Sequence, residues 1–260
     1  MADAPTRDPF APLRRLTPAR IGLGRAGAGL PTAAMLDFQF AHARAQEAVR
    51  EELDAPRLAA AIDTPAIVVE SAAPDRDVFL RRPDLGRRLA AHSQLPARGD
   101  HDHDLVIVLA DGLSAGAVHA HAPDTARALV QALDGWRLAP MVIVRQGRVA
   151  IGDEIGARLG ARAVVVLIGE RPGLSAADSL SAYLTWAPRP GRLDSERNCV
   201  SNIRPAGLPP SAAARKLAWL LTEARRLNFT GIDLKDREGD DALDSGPSWP
   251  GVSVFRPGTS

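Results

Sequence analysis

Ala163-Val164-Val165-Val166-Leu167-Ile168, closed by Gly169-Glu170-Arg171-Pro172-Gly173, is the stretch that decides the architecture. The run is short, β-branched and apolar at consecutive positions, so it predicts a strand buried on both faces rather than an amphipathic helix. A loop at the end of such a strand is where an open α/β sheet carries its ligands.

Reading outward from this strand, the chain alternates regularly. Leu105–Leu109 predicts a strand, Ser114–Leu133 a helix, Met141–Val144 a strand and Asp153–Leu159 a short helix. Downstream, Ser181–Trp186 predicts a further strand, and Pro209–Leu227 a helix with an apolar stripe of Leu217, Leu220, Leu221 and Leu227. Strands alternating with helices imply right-handed crossovers, and therefore a Rossmann-like α/β fold with a mainly parallel sheet and helices on both faces. Three loops, Gly147-Arg148-Val149, Gly169–Gly173 and Glu196–Asn202, are expected along one edge of that sheet. The last of them carries Cys199, the single cysteine.

Towards the N-terminus, residues 1–31 are rich in proline and contain Gly22, Gly24, Gly27 and Gly29, which reads as an arm rather than a continuous element. Pro31–Leu53 has near-helical spacing of Leu36, Phe40, Ala43, Val49 and Leu53, and Ala66–Val69 is a candidate strand. Arg81–Leu89 reads as a basic, turn-opened helix start whose arginines face water, and Leu95–Asp104 as a polar linker. The expected division is an N-terminal arm and helical region (1–80), a Rossmann-like domain (81–236) and a disordered tail (237–260).

Composition limits the function. With 45% hydrophobic and 24% charged residues in 260, the chain has the make-up of an ordinary globular domain. A net charge of +1 gives no basic excess for nucleic acid. No apolar run is long enough to span a bilayer, and the acids and prolines among the first nine residues argue against a signal peptide. One cysteine cannot form an internal disulfide, which suits a reducing cytoplasm.

Four motifs invite a function and fail on context. Gly22-Leu23-Gly24-Arg25-Ala26-Gly27 has the dinucleotide spacing, but no strand precedes it to aim backbone amides at a pyrophosphate. Gly112-Leu113-Ser114-Ala115-Gly116 sits where a nucleophile elbow would, yet no histidine follows His121, so Ser114 reads as a helix cap. His101-Asp102-His103-Asp104 lacks further metal ligands and reads as linker. Cys199 has no histidine downstream to act as its base.

Other segments carry a resemblance. Val144–Gly156 with its Gly-Arg-Val, Leu167–Leu174 with its Gly-Glu-Arg-Pro-Gly, Ser179–Tyr183 and Asn198-Cys199-Val200-Ser201-Asn202-Ile203 resemble the small subunit of ethanolamine ammonia-lyase. Arg25-Ala26-Gly27, Arg81–Leu89 and Asp111–Ser114 resemble the same family in the same order, so the likeness spans about residues 14–235.

The resemblance implies a carbon–nitrogen lyase that depends on adenosylcobalamin and converts ethanolamine to acetaldehyde and ammonia. It also implies a large subunit that carries the substrate pocket, with residues 1–80 of this chain contacting that subunit and 81–236 forming one wall of the cobalamin site. By motif, Val149, Glu170 and Cys199 take the family's cobalamin-contacting positions, no residue here is catalytic, and no side chain ligates the cobalt. A corrin is a broad, mostly apolar disc with amide arms, so its shelf should carry little charge. Neither Asp100 nor Asp102 has a histidine two residues on, so the cofactor's own base is expected to stay on the metal. A cytoplasmic enzyme, in some settings inside a bacterial microcompartment, is the implied location. The rival readings are a non-catalytic assembly scaffold and a nucleotide-dependent oxidoreductase.

Overall fold

The computed structural model describes residues 8–17, 19–96 and 103–237. In chain order the helices are α1 (Ala11–Arg14), α2 (Thr32–Arg50), α3 (Ala55–Ala61), α4 (Arg76–Arg81), α5 (Ala115–Ala132), α6 (Ile151–Leu159) and α7 (Pro210–Leu227). The strands are β1 (Ala66–Glu70), β2 (His103–Ala110), β3 (Met141–Arg145), β4 (Ala161–Gly169), β5 (Leu180–Trp186) and β6 (Arg197–Ile203). They form one sheet in the order β1-β3-β2-β4-β5-β6, parallel from β1 to β4 and antiparallel at β4–β5 and β5–β6. The predicted α/β class with a mainly parallel sheet and an N-terminal helical arm is the fold observed.

The two faces of the sheet are filled differently. On one, Leu105, Ile107, Leu109, Val165 and Leu167 pack under α3, α5 and α7, and the same core continues through Leu180, Ala182 and Leu184 of β5. On the other, Val106, Val108, Val164 and Val166 pack under Ile151, Ile155 and Leu159 of α6. The near-continuous burial of β2 and β4 follows from this double cover, which is why both read as uninterrupted apolar runs. Among the described residues, helices α5 and α7 are the ones packed on β5 and β6; on the α6 side Cys199 is exposed and Tyr183 half-buried, while Ser181 and Thr185 are buried and one ion pair reaches α6. That pair is Arg197 on β6 to Asp153 on α6, bidentate at 2.7 Å and 2.7 Å and buried on both sides.

Three segments differ from the sequence expectation. Glu196–Asn202 is not a loop: most of it is the edge strand β6, in register with β5 so that Cys199 stands opposite Tyr183. A register shift between Leu180 and Ala182 separates the inward residues Val200 and Ile203 by three positions instead of two, which hides the strand period. Arg81–Leu89 holds only a single 3-10 turn at Leu85–Arg87, while the helix nearby is α4, capped by Asp75 accepting from the Val78 amide at 2.7 Å. Its four arginines are exposed, as expected. Helix α2 forms where predicted but fully buries none of its residues, so among the described residues Met35, Leu36, Phe38 and Phe40 stay exposed while Val49 is half-buried. The tail from 238 onward and His101 and Asp102 lie outside the described residues.

Candidate functional site

The connections after β1, β2 and β3 are knotted together by Asp111, which follows the last residue of β2. Its carboxylate accepts from the Gln146 and Gly147 amides at 2.9 Å each and from Arg76 Nη1 at 3.1 Å. These bonds hold Gln146 at a φ of 57°, a left-handed conformation that a non-glycine residue adopts only when its surroundings impose it. Burial pushes the Asp111 carboxyl up to about 6, against the pull of Arg76 and of the Gln146 and Gly147 amides. The next residues, Arg148 and Val149, lead into α6, and the Arg148 amide donates to Gly86 O at 2.8 Å. Val149 is half-buried and packs against the second core.

Gly169 ends β4 where no other residue fits. A Cβ there would lie 2.0 Å from Ser114 O, and the Gly169 carbonyl accepts from Leu113 N at 2.9 Å. Glu170 follows, its amide donating to Ser179 O at 2.9 Å, which closes the connection to β5. Its carboxylate accepts from the Tyr183 hydroxyl at 3.2 Å. Val149, Glu170 and Tyr183 line one depression of about 280 Å³ together with Leu113, Arg148 and Arg171. Cys199 extends this face, because a directly paired cross-strand neighbour shares the face of its partner Tyr183. Val149, Glu170 and Cys199 are therefore brought together on the α6 side of the sheet, near the carboxyl ends of β3 and β4.

The electrostatics of this face are those of donors and acceptors rather than of nucleophiles. Burial, with Cys199 and Glu170 beside it, pushes the Tyr183 phenol well above its ordinary range. Burial and the nearby Glu170 carboxylate raise the Cys199 thiol, although the Tyr183 hydroxyl opposes them, so at neutral pH the sulfur is a thiol. The Ser181 hydroxyl, on the same side of β5, is fully buried beside the Cys199 thiol and, like Tyr183, works against the rise of its pKa.

Several residues of the motifs set aside on context have other duties in the structure. Ser114 caps α5, accepting from Ala117 N at 3.2 Å and donating to Ala177 O at 3.1 Å. The imidazole of His119 accepts from the Asp54 amide instead, at 3.2 Å. Gly22–Gly27 lies outside any strand or helix. Among the described residues no cluster of histidine, cysteine and carboxylate side chains could hold a metal, and Asp104 is buried against Arg137.

Sequence reasoning left out three residues of the face. Tyr183 was legible from alternation along β5, where Ser181, Tyr183 and Thr185 oppose Leu180, Ala182, Leu184 and Trp186. Arg148 and Arg171 border the same depression, so the expected shelf of little charge has a cationic flank.

Comparison with known proteins bears on what this face serves. Residues 7–235 match the model of the family described as ethanolamine ammonia-lyase light chain. An ethanolamine ammonia-lyase small subunit of Azotobacter vinelandii is 52% identical over 256 residues, covering 95% of each chain. That of Bradyrhizobium diazoefficiens is 53% identical over 244 residues, 91% of this chain and 94% of the relative. That of Xanthomonas campestris is 52% identical over 242 residues, 89% of each.

Proposed function

The chain belongs to the ethanolamine ammonia-lyase light-chain family, and from that premise we propose that the face carrying Val149, Glu170 and Cys199, beside α6, is one wall of the adenosylcobalamin site, contacted by those three residues. It is the small subunit of an adenosylcobalamin-dependent carbon–nitrogen lyase that converts ethanolamine to acetaldehyde and ammonia in complex with a large subunit. The observation that supports the site assignment is the gathering of Val149, Glu170, Tyr183 and Cys199 on the α6 side of the sheet, beside the part that α6 covers.

The residues fit the group. A corrinoid presents amide side arms and a broad apolar rim. Glu170 offers a carboxylate acceptor already oriented by Tyr183, Val149 an apolar contact, and Cys199 a small uncharged one that permits close approach. When bound, adenosylcobalamin supplies the radical that starts the reaction, while this chain positions the cofactor and keeps water from it. The substrate pocket belongs to the large subunit. Residues 1–80 are the proposed contact with that subunit, a reading supported by α2, which leaves Met35, Leu36, Phe38 and Phe40 exposed. Among the described residues no helix is long and apolar enough to cross a membrane. We place the enzyme in the cytoplasm, and fractionation with shell proteins would test enclosure in a microcompartment.

Hydroxocobalamin binding by the complex of this chain with its large subunit, measured by equilibrium dialysis, tests the assignment. Glu170→Ala removes about one charge-assisted hydrogen bond and should weaken binding about tenfold. Cys199→Trp should abolish binding by filling the approach. Intact affinity and turnover in both variants, with the complex still assembled, would leave the chain a scaffold.

A further inference from the structure

Arg148 is held in a setting that lacks a counter-charge. Its guanidinium lies over the Phe79 ring at 4.3 Å, Arg76 packs against the same ring at 4.8 Å, and its Nε is buried with no hydrogen-bond partner. Burial lowers its affinity for the proton, Arg76, Arg87 and Arg171 lower it further, and Asp111 alone opposes them. Asp111 is not free to serve, since Arg76 and the two amides of the 146–147 turn already occupy its carboxylate.

Two more cations point at the same space. Arg50, at the end of α2, and Arg171, in the loop after β4, make no ion pair among the described residues. With Arg148 and His42 they line a cavity of about 500 Å³ that has no aspartate or glutamate in its wall. This cavity shares Leu113, Arg148 and Arg171 with the depression beneath Val149 and Glu170. Gathering like charges around a half-buried guanidinium, with Arg50 and Arg171 exposed at its edge, is unfavourable unless an anion completes the set. Guanidinium forks match the oxygens of a phosphate in pairs, and stacking of Arg148 on Phe79 fixes one fork in advance.

We propose that Arg148 and Arg171, with Arg50 at the rim, form an oxyanion subsite that takes the phosphodiester of the cobalamin nucleotide tail. The inference rests on the cofactor reading above. Adjacency decides the source of the anion: the subsite opens from the proposed corrin shelf, and the phosphodiester is the fixed anion of a cobalamin.

The test compares hydroxocobalamin with cobinamide, which keeps the corrin but lacks the phosphodiester and base, on the complex with the large subunit. Binding is read from the corrinoid absorbance spectrum, and assembly from co-purification. Arg148→Gln and Arg171→Gln should each weaken hydroxocobalamin binding about tenfold or more, while changing cobinamide affinity less than threefold, on the order of thermal scatter. Arg148→Lys should recover part of the loss, because a point charge remains. Equal weakening of both corrinoids, or of neither, overturns the proposal. Loss of inorganic phosphate binding with unchanged hydroxocobalamin affinity would assign the subsite to a free anion and overturn it too. If the wild-type complex binds neither corrinoid, the cofactor reading itself fails and takes the subsite with it.

Discussion

Asp111 shows how a single buried carboxyl can organise a site without touching a ligand. Its folded pKa of about 6 lies above the ordinary carboxylate value. The folded state therefore holds this proton more tightly than the unfolded one. The stabilisation that results is full below about pH 4 and is lost as the pH rises through about 6. Relative to Asp111→Asn, which cannot titrate, the wild-type chain should gain up to about 3 kcal/mol between pH 7.5 and pH 4. Urea unfolding of both proteins across that range checks the sign, because the other carboxyls titrate in both. The role of Asp111 was not legible beforehand: Asp111-Gly112 was noticed only as part of a resemblance, and its partners Arg76, Gln146 and Gly147 are tens of residues away. The loops that hold Val149 and Glu170 were legible because they flank apolar strands, but those two residues were singled out only by the family resemblance of their motifs, whereas Tyr183 needed the alternation of β5 to be read alongside the hidden strand β6.

At the level of elements, legibility tracks burial on both faces. β2, β3 and β4 announce themselves as β-branched apolar runs, since α5 and α7 cover one side and α6 the other. β6 does not, because as an edge strand it turns Val200 and Ile203 inward and leaves Ser201 and Asn202 to water, with a bulge disturbing the count. The short α3 was missed although its signals were present, namely Asp54 accepting from Arg57 N at 3.0 Å and Pro56 in the first turn. Strand β6 is secured to α6 by Arg197, which also donates to Thr185 Oγ1 at 2.8 Å. Replacing Arg197 by alanine leaves Asp153 buried and unpaired, so a loss of about 3–5 kcal/mol is expected. Thermal unfolding should show it, and hydrogen exchange should place the first opening at β5–β6. Asp153→Leu combined with Arg197→Met should recover much of that stability, since two apolar groups of similar shape replace a desolvated pair.

Across the whole molecule, the sheet and its helices satisfy one another while the N-terminal region does not. Phe40 is 66% exposed and Leu16 83%, and α2 rests on the body chiefly at its C-terminal end, where Val49 O accepts from Arg76 Nε at 2.8 Å. The purified chain alone should be catalytically silent and should self-associate, as size-exclusion chromatography at rising concentration will show, and co-expression with the large subunit should return it to a defined complex. Serine or glutamine at Leu36 and Phe40 should relieve the self-association and weaken assembly, without altering the unfolding of the sheet core.

On the proposed contact of residues 1–80 with the large subunit, a helix folded by its own backbone that leaves its apolar side chains for another polypeptide would make each unmated copy conspicuous. In a cell, such a copy displays greasy side chains to chaperones and proteases until a mate hides them. On that proposal the steady amount of this chain should follow the supply of the other, with balanced dosage arising from surface chemistry.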